Sequence, residues 1–194
     1  RASNAEGILT AGTGDETWRN VLDRRRSFRD NVLGFVQHYR ECLFGIPGVR
    51  YAFKFEMLTS RRTVGKVGYF LMFASQHPRG LEKMKEAMKR IDQTGDYRFS
   101  DAHVGKQTLF RFDRPEVWAP NLHQHFAGRE VTFAEARDFA LNETPFVSPK
   151  SMLRLLEQQS AIKVICRDPA KRRKGTFKED VIDLIIFESE APDG

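Results

Sequence analysis

The chain has 194 residues, of which 32 are Lys or Arg and 26 are Asp or Glu, so its net charge is +6 at pH 7. Hydrophobic residues form 40% of the sequence, which is enough for a packed core and excludes wholesale disorder. No apolar run approaches the roughly 20 residues of a membrane span. Cys42 and Cys166 form no CxxC motif. This excludes a disulfide framework and favours reduced thiols in a cytoplasmic protein with no membrane partner.

The N-terminal part of the chain predicts a helix followed by a strand. Residues 1–17 are small and polar without periodicity, and we interpret them as a flexible lead-in. From Trp18 to Phe44, apolar residues recur at steps of three and four, which is typical of an amphipathic helix. Residues 49–57 then alternate between apolar and charged side chains. That alternation predicts a strand with one face in water.

Residues 67–74 are almost continuously apolar, which predicts a strand covered on both faces. A helix follows Pro78, and residues 92–115 form a connector with short strand-like pieces. Residues 18–114 thus predict a helix–hairpin–helix unit. Because one hairpin and two helices scarcely supply layers on both sides of a strand, we expect this unit to end a larger α/β domain or to contact a partner. One such partner is a second copy of the chain, which would form a homo-oligomer through this unit.

Residues 115–190 predict a separate unit of three helices and a β-hairpin. The first helix ends at Gly128, and the Thr132–Glu135 pair forms a T-x-x-E capping box that opens the second. Ser148 is the predicted N-cap of the third helix. The part of the unit after the third helix is rich in β-forming residues on both sides of a basic loop, which predicts the hairpin. This order of elements is typical of a winged helix-turn-helix, and the predicted fold class of the whole chain is α+β.

Almost all of the excess positive charge lies between Ser148 and Lys178. This segment holds nine basic residues against Glu157 and Asp168, so its charge is +7, while the rest of the chain carries −1. A concentrated basic segment is the electrostatic footprint of a polyanion-binding protein. The alternative is a solvated basic face that contributes only to solubility.

The third helix and the hairpin loop supply the candidate nucleic-acid-binding residues. At about 100° per residue the helix separates an apolar side from a polar one, and Lys, Arg, Ser and Gln suit phosphates and base edges. The four adjacent cations of the loop repel one another, and an anionic partner such as duplex DNA would relieve that repulsion. The alternative is an ordinary amphipathic surface helix. The candidate residues are Lys150, Ser151, Arg154, Gln158, Lys171, Arg172, Arg173 and Lys174.

No pattern in the sequence predicts an enzyme. His123 and His125 are two apart on a helix and diverge by about 200°, so they do not share a metal ion easily. There is no recognisable Ser/His/Asp order, acid pair or phosphate-binding glycine loop. We therefore predict no catalytic residue, no metal and no bound cofactor, and a nucleic-acid-binding module rather than an enzyme.

Several short stretches resemble the three-Cys-motif partner proteins. The run Tyr69–Met88 is similar to the tail of that family's methyltransferase-like domain, and two downstream stretches are similar to its C-terminal winged-helix module. The stretches are Gly12–Thr13, Trp18, Tyr39–Leu43, Tyr69–Met88, Phe126–Thr132 and Arg172–Phe177.

The resemblance implies a bacterial or phage-associated protein that works beside a separate three-Cys-motif protein. It also implies a class I fold of the S-adenosylmethionine-dependent type in fuller members of the family. The present sequence lacks the glycine-rich strand–turn–helix that would hold this cofactor, so we expect no methyl transfer from this chain on its own. The alternative functions are a protein-docking module and a fragment of such a methyltransferase-like protein.

Overall fold

The computed structural model describes residues 9–58, 67–91, 98–100, 114–168 and 172–189. Within these ranges the chain mixes helices with two small β-sheets, which confirms the predicted α+β class. The chain divides into two units. The first comprises Arg1–Leu81 and Arg98–Val104, and the second comprises Glu82–Tyr97 and Gly105–Gly194.

The helix α3, Pro78–Ile91, is shared between the two units. The predicted division after Arg114 places this helix wholly in the first unit, whereas the structure assigns its residues from Glu82 onward to the second. Lys85 gives the physical reason, because its side chain is fully buried and its Nζ donates hydrogen bonds to backbone carbonyls of the second unit.

Part of the predicted lead-in is ordered, and this corrects the expectation of flexibility for residues 9–17. Residues 9–13 form a helix (α1), and Thr17–Val21 form a short 3-10 helix. Trp18 is buried, and its indole Nε1 donates to Thr10 Oγ1 at 3.1 Å. Thr13 Oγ1 also lies within hydrogen-bond distance of the Leu9 carbonyl, at 3.0 Å, so threonine side chains make local hydrogen bonds in this segment. Residues 1–8 lie outside the described residues.

The helix α2 spans Phe28–Phe44, so the predicted helical start at Trp18 is wrong by ten residues. Ser27 caps the helix: its Oγ accepts a hydrogen bond from the backbone N–H of Asp30 at 3.1 Å. Phe28, the first residue of the helix, is 86% exposed although its spacing fits the apolar period. The buried Arg40 donates from Nε to the carbonyl of Ala52 at 2.9 Å and so joins the helix to the sheet.

The sheet of the first unit has the order β2-β1-β3. The antiparallel hairpin strands β1, Tyr51–Leu58, and β2, Val67–Ser75, confirm the two strands predicted from the sequence. The strand β3, Arg98–Ser100, pairs with β1 in parallel and falls within the predicted connector. The second strand-like piece of the connector, residues 108–112, lies outside the described residues.

The prediction that residues 67–74 are covered on both faces is wrong. Within the described residues β2 is the edge strand of its sheet, and Tyr69 and Leu71 are 59% and 37% exposed. Both side chains point to the same face, since they are two residues apart in a strand. A continuous apolar run therefore marks here an uncovered edge strand rather than a central one.

The second unit consists of helices followed by a three-stranded sheet of order β4-β6-β5, in which both pairs are antiparallel. The strand β4 lies between α4 and α5 in the chain and pairs with the last strand, β6. The elements are α4 (Pro115–Phe126), β4 (Glu130–Val131), α5 (Phe133–Glu143), α6 (Lys150–Gln158), β5 (Ile162–Cys166) and β6 (Ile182–Phe187).

One continuous apolar core holds these elements together. Leu122 of α4, Met152 and Leu153 of α6 and Ile185 of β6 are completely buried in it, and Phe187 is nearly so. Burial of a large aliphatic or aromatic side chain contributes about 1.5–3 kcal/mol. The orientation of α6 is therefore determined by its apolar face, which leaves the opposite face exposed.

The predicted capping box at the start of α5 is confirmed. Thr132 Oγ1 accepts from the backbone N–H of Glu135 at 3.2 Å, and the Glu135 carboxylate accepts from the backbone N–H of Thr132 at 2.7 Å. The hydrogen bonds from Thr132 hold the pKa of Glu135 below its ordinary value of 4.5. A carboxyl with a lowered pKa in the folded protein stabilises it at neutral pH, and that contribution is lost as the pH falls through the folded-state pKa.

We expect Thr132→Ala to lower the free energy of unfolding by about 1 kcal/mol, as measured by urea denaturation at pH 7. Glu135→Gln keeps an oxygen acceptor but does not titrate, so the loss of stability as the pH falls from about 6 to about 3 is smaller in this variant than in the wild type. The exposed Glu130→Gln substitution serves as the control. An equal pH dependence of wild type and Glu135→Gln would contradict the capping role.

Among the helices within the described ranges, none combines the length and the hydropathy that crossing a membrane requires.

Candidate nucleic-acid interface

The helix α6 presents a polar face to solvent, as its periodicity predicts. Lys150, Arg154 and Gln158 are exposed and recur at steps of four, so they lie along one side. The prediction of Ser148 as N-cap is wrong: the helix begins one residue later with Pro149 as N-cap, and no side chain caps it. Pro149 is buried and has φ −76° and ψ −6°, a helical conformation that its ring favours at the start of a helix.

The loop between β5 and β6 is folded back on itself at residues 173–176. The backbone N–H and the Oγ1 hydroxyl of Thr176 both donate to the carbonyl of Arg173, at 3.0 and 2.6 Å. Gly175 has φ +80°, a left-handed conformation that side chains rarely adopt. The glycine after the basic run is thus required by the turn.

A buried carboxylate fixes this loop onto α6. Arg172 Nη2 lies 2.8 Å from both oxygens of Glu157, and Glu157 Oε2 also accepts from the backbone N–H of Gly175 at 2.8 Å. The two side chains are only 11% and 9% exposed. Arg172 also donates from Nε to the carbonyl of Thr176 at 3.1 Å and lies over the ring of Phe177. Arg172 is therefore chiefly a structural link between loop and helix.

A second link joins Arg154 to the same turn. Its Nε donates to the carbonyl of Gly175 at 3.0 Å, and the methylene groups of its side chain pack beside the glycine. Because Arg154 is exposed, the loop rather than packing in the core sets the direction of its side chain. The two links place α6 and the loop side by side.

The exposed face of α6 and the loop line one open groove of about 610 Å³. On its walls are two residues from the polar face of the helix and the two cations that follow Arg172. A smaller hollow of about 180 Å³ is lined by Arg172, Arg173, Thr176, Lys178 and Val181. The residues of the groove are Arg154, Glu157, Gln158, Arg173, Lys174, Gly175 and Thr176.

The structure brings four of the eight predicted residues together in the groove, namely Arg154, Gln158, Arg173 and Lys174. Arg172 lies beside it and is paired with Glu157. Lys150 and Ser151 lie on α6 but do not line the groove, and Lys171 lies outside the described residues.

The periodicity of α6 did not identify the structural role of Glu157. The sequence places it on the polar side of the helix, whereas the folded loop covers it. Lys178, which lines the smaller hollow, is a further cation outside the predicted set. One signal for this role is present in the sequence. Glu157 is an acidic residue within the most basic segment of the chain, so it is well placed to pair with one of the cations.

The two histidines of α4, His123 and His125, lie in different environments. Within the described ranges no group of three or more His, Cys, Asp or Glu side chains could hold a metal ion. His123 is buried against Phe187, while His125 packs on the rings of Phe126 and Phe139. These different environments agree with the divergence expected from their spacing.

Cys42 lies on α2 with its Sγ 3.7 Å from His38 Nε2. Partial burial, followed by the charges of Asp15 and Glu41, raises the pKa of this thiol. A raised pKa disfavours the thiolate that nucleophilic chemistry requires. Cys42 and Cys166 are both half-buried free thiols.

Comparison of the chain with protein-family models, with curated proteins and with solved structures found no match.

Proposed function

We propose that the second unit is a winged helix-turn-helix that binds duplex DNA through α6 and the loop at residues 172–178. The observation that carries the proposal is the convergence of exposed cations of α6 and of the loop on one open groove. In a helix-turn-helix the second helix of the motif enters the major groove, and here that helix is α6.

The topology supports the winged-helix assignment. Three helices are followed by a hairpin, and the short strand between the first two helices pairs with the last strand, giving the sheet order β4-β6-β5. The hairpin loop then occupies the position of a wing. If the hairpin were unrelated to the helices, β4 would be unpaired. Instead, Val131 of β4 pairs with Ile185 of β6 and links the helices to the hairpin.

The charge distribution favours a phosphate backbone as the partner. Arg173 and Lys174 are exposed, and no side-chain hydrogen bond or ion pair occupies their cationic groups among the described residues. Glu157 compensates Arg172 but leaves these two cations uncompensated. Each cation that neutralises a DNA phosphate releases counterions, so the affinity for DNA falls steeply as the salt concentration rises.

We expect the double substitution Arg173→Ala/Lys174→Ala to weaken binding to duplex DNA by about tenfold or more at moderate salt. If both residues contact phosphates, the slope of log K against log[salt] becomes shallower by about 1.8. Fluorescence anisotropy across a salt series measures both quantities. Arg172 is left intact because its substitution would also disturb the fold of the loop.

The matched control is Arg24→Ala/Arg25→Ala, which removes the same charge from exposed positions in the first unit. If binding depended only on net charge, both double variants would lose affinity equally. An unchanged affinity of the Arg173→Ala/Lys174→Ala variant would remove the loop from the proposal. Replacement of duplex DNA by duplex RNA in the same assay separates the two nucleic acids.

The edge strand β2 favours a second function, a protein-docking module. It has no charged residue or proline from Val67 to Ser75, although edge strands are normally guarded by such residues. The resemblance to three-Cys-motif partner proteins makes a three-Cys-motif protein the proposed partner, with a second copy of the chain as the alternative. The exposed Tyr69 and Leu71 would lie within the paired surface.

We expect Leu71→Lys to abolish self-association if β2 pairs with a second copy of itself, because two opposed lysines would repel each other across the interface. Light scattering over a concentration series provides the measurement. A wild-type chain that stays monomeric at every concentration would exclude the homo-oligomer. The exposed Val117→Lys substitution on α4 is the control.

Methyl transfer is not part of the proposal. Calorimetric titration of the chain with S-adenosylmethionine is expected to release no heat, and measurable binding would instead favour the methyltransferase-like alternative.

A further inference from the structure

One nitrogen of the Arg154 guanidinium is hydrogen-bonded to the loop, while its terminal N–H donors are available to a ligand. The Arg154 Nε donates to the carbonyl of Gly175 at 3.0 Å, and the methylene groups of the side chain occupy the space beside this glycine that a Cβ would meet. The terminal nitrogens Nη1 and Nη2 have no hydrogen-bond partner among the described residues. The loop therefore presents the outer edge of the guanidinium to the groove.

That outer edge carries two parallel N–H donors. Two acceptors at matching spacing occur on the O6 and N7 atoms of guanine in the major groove, and the bidentate contact of arginine with this pair is the commonest specific contact to DNA. A phosphate also accepts two such hydrogen bonds. The surroundings of Arg154 must decide between the two acceptors.

The surroundings favour a base edge. Arg154 lies on α6, and in a helix-turn-helix the side chains of this helix reach base edges in the major groove. Arg173 and Lys174 lie on the loop instead, where cations suit the phosphate backbone. Gln158 is exposed one turn further along the same face and lines the groove beside Arg154.

We propose that Arg154 is the specificity-determining residue of the groove and that it recognises guanine through O6 and N7, so that the preferred ligand is a duplex with a G·C pair at this point. The inference rests on the proposed DNA-binding function. It assigns a separate task to each cation: Arg172 holds the loop, Arg173 and Lys174 contact phosphates, and Arg154 selects the sequence.

Selection of bound duplexes from a randomised library tests the proposal, with the full chain in wild-type form and as Arg154→Lys. The wild type is expected to enrich a guanine at one position. Replacing that guanine by 7-deazaguanine, which lacks the N7 acceptor, should lower wild-type affinity about tenfold. Arg154→Lys keeps the positive charge but loses the paired donors, so it should bind duplexes without this discrimination. Thermal unfolding checks that the variant is folded.

The control substitution Arg173→Lys should keep the discrimination, because it changes a phosphate contact. Binding of duplexes with no enriched base would overturn the role of Arg154 and leave the DNA-binding function standing. The same loss on 7-deazaguanine in wild type and in Arg154→Lys would assign the recognition to another residue. If no duplex is bound at all, the inference and the proposed function both fail.

Discussion

Replacing Lys85 with methionine is expected to lower the free energy of unfolding by about 3 kcal/mol. The Nζ of this fully buried lysine donates hydrogen bonds to the carbonyls of Ala140, Thr144 and Phe146. Ala140 and Thr144 belong to the C-terminal end of α5, where the last carbonyls have no partner within the helix. Lys85 therefore caps α5 from α3.

Methionine retains the length of the side chain but donates no hydrogen bond. The carbonyl of Ala140 still accepts from the hydroxyl of Thr144 at 2.8 Å, so the main loss falls on the carbonyls of Thr144 and Phe146. A buried acceptor that loses its donor costs about 1–3 kcal/mol. Urea denaturation followed by circular dichroism measures the change.

Lys83→Met is the matched control, because Lys83 lies on the same helix and is largely exposed. Within the described residues it pairs with Glu86 at 2.7 Å, and exposed ion pairs of this kind contribute about 0–1 kcal/mol. Equal stabilities of the Lys85→Met and Lys83→Met variants would show that the carbonyl contacts of Lys85 add no stability.

Glu157→Gln is expected to destabilise the protein by about 2 kcal/mol and also to weaken DNA binding. The substitution keeps an acceptor for the backbone N–H of Gly175 but leaves the nearly buried guanidinium of Arg172 without a counter-charge. The direction of the binding effect is diagnostic. Removal of a negative charge near DNA ordinarily strengthens binding, whereas here the displaced loop no longer directs Arg173 and Lys174 into the groove.

Asp183→Asn provides the comparison in the same hairpin. Asp183 pairs with Arg167 at 2.7 Å, but the arginine side chain is 81% exposed, so the pair contributes little to stability. We expect this variant to keep the wild-type stability to within about 1 kcal/mol and to bind DNA at least as tightly. A Glu157→Gln variant that binds DNA more tightly than the wild type would contradict the positioning role of Glu157.

A double-mutant cycle separates the pair from its surroundings. If Glu157 acts mainly through Arg172, Glu157→Gln and Arg172→Met should show a coupling energy of about 1–3 kcal/mol in urea denaturation. Additive effects would indicate that the hydrogen bond to Gly175, rather than the ion pair, holds the loop.

The features that the sequence predicts well are those set by neighbours along the chain. The capping box of Thr132 and Glu135 requires residues only three positions apart, and the exposed positions of α6 follow from its 3.6-residue period. The two hairpin strands of the first unit likewise follow from local alternation and from an apolar run. In each case one short window contains the complete physical signal.

The features that the sequence predicts poorly depend on distant residues. Nothing near Lys85 indicates that it meets carbonyls more than 50 positions away, so it reads as one more charge on a polar helix face. Arg172 reads as a free cation until the loop folds against Glu157. The apolar run of β2 reads as buried because periodicity reports hydrophobicity rather than the position of a strand within its sheet.

The parallel pairing of β1 with β3 has a consequence for any attempt to dissect the protein. Between these two strands the chain passes through residues 82–97, which belong to the other unit. Cutting the polypeptide at one point therefore cannot release either unit with all of its own segments. A fragment that starts at Glu82 would take β3 away from β1, and a fragment that stops at Leu81 would lack β3. Separate production of each unit requires a rearranged chain in which β3 is joined to the hairpin by a new linker.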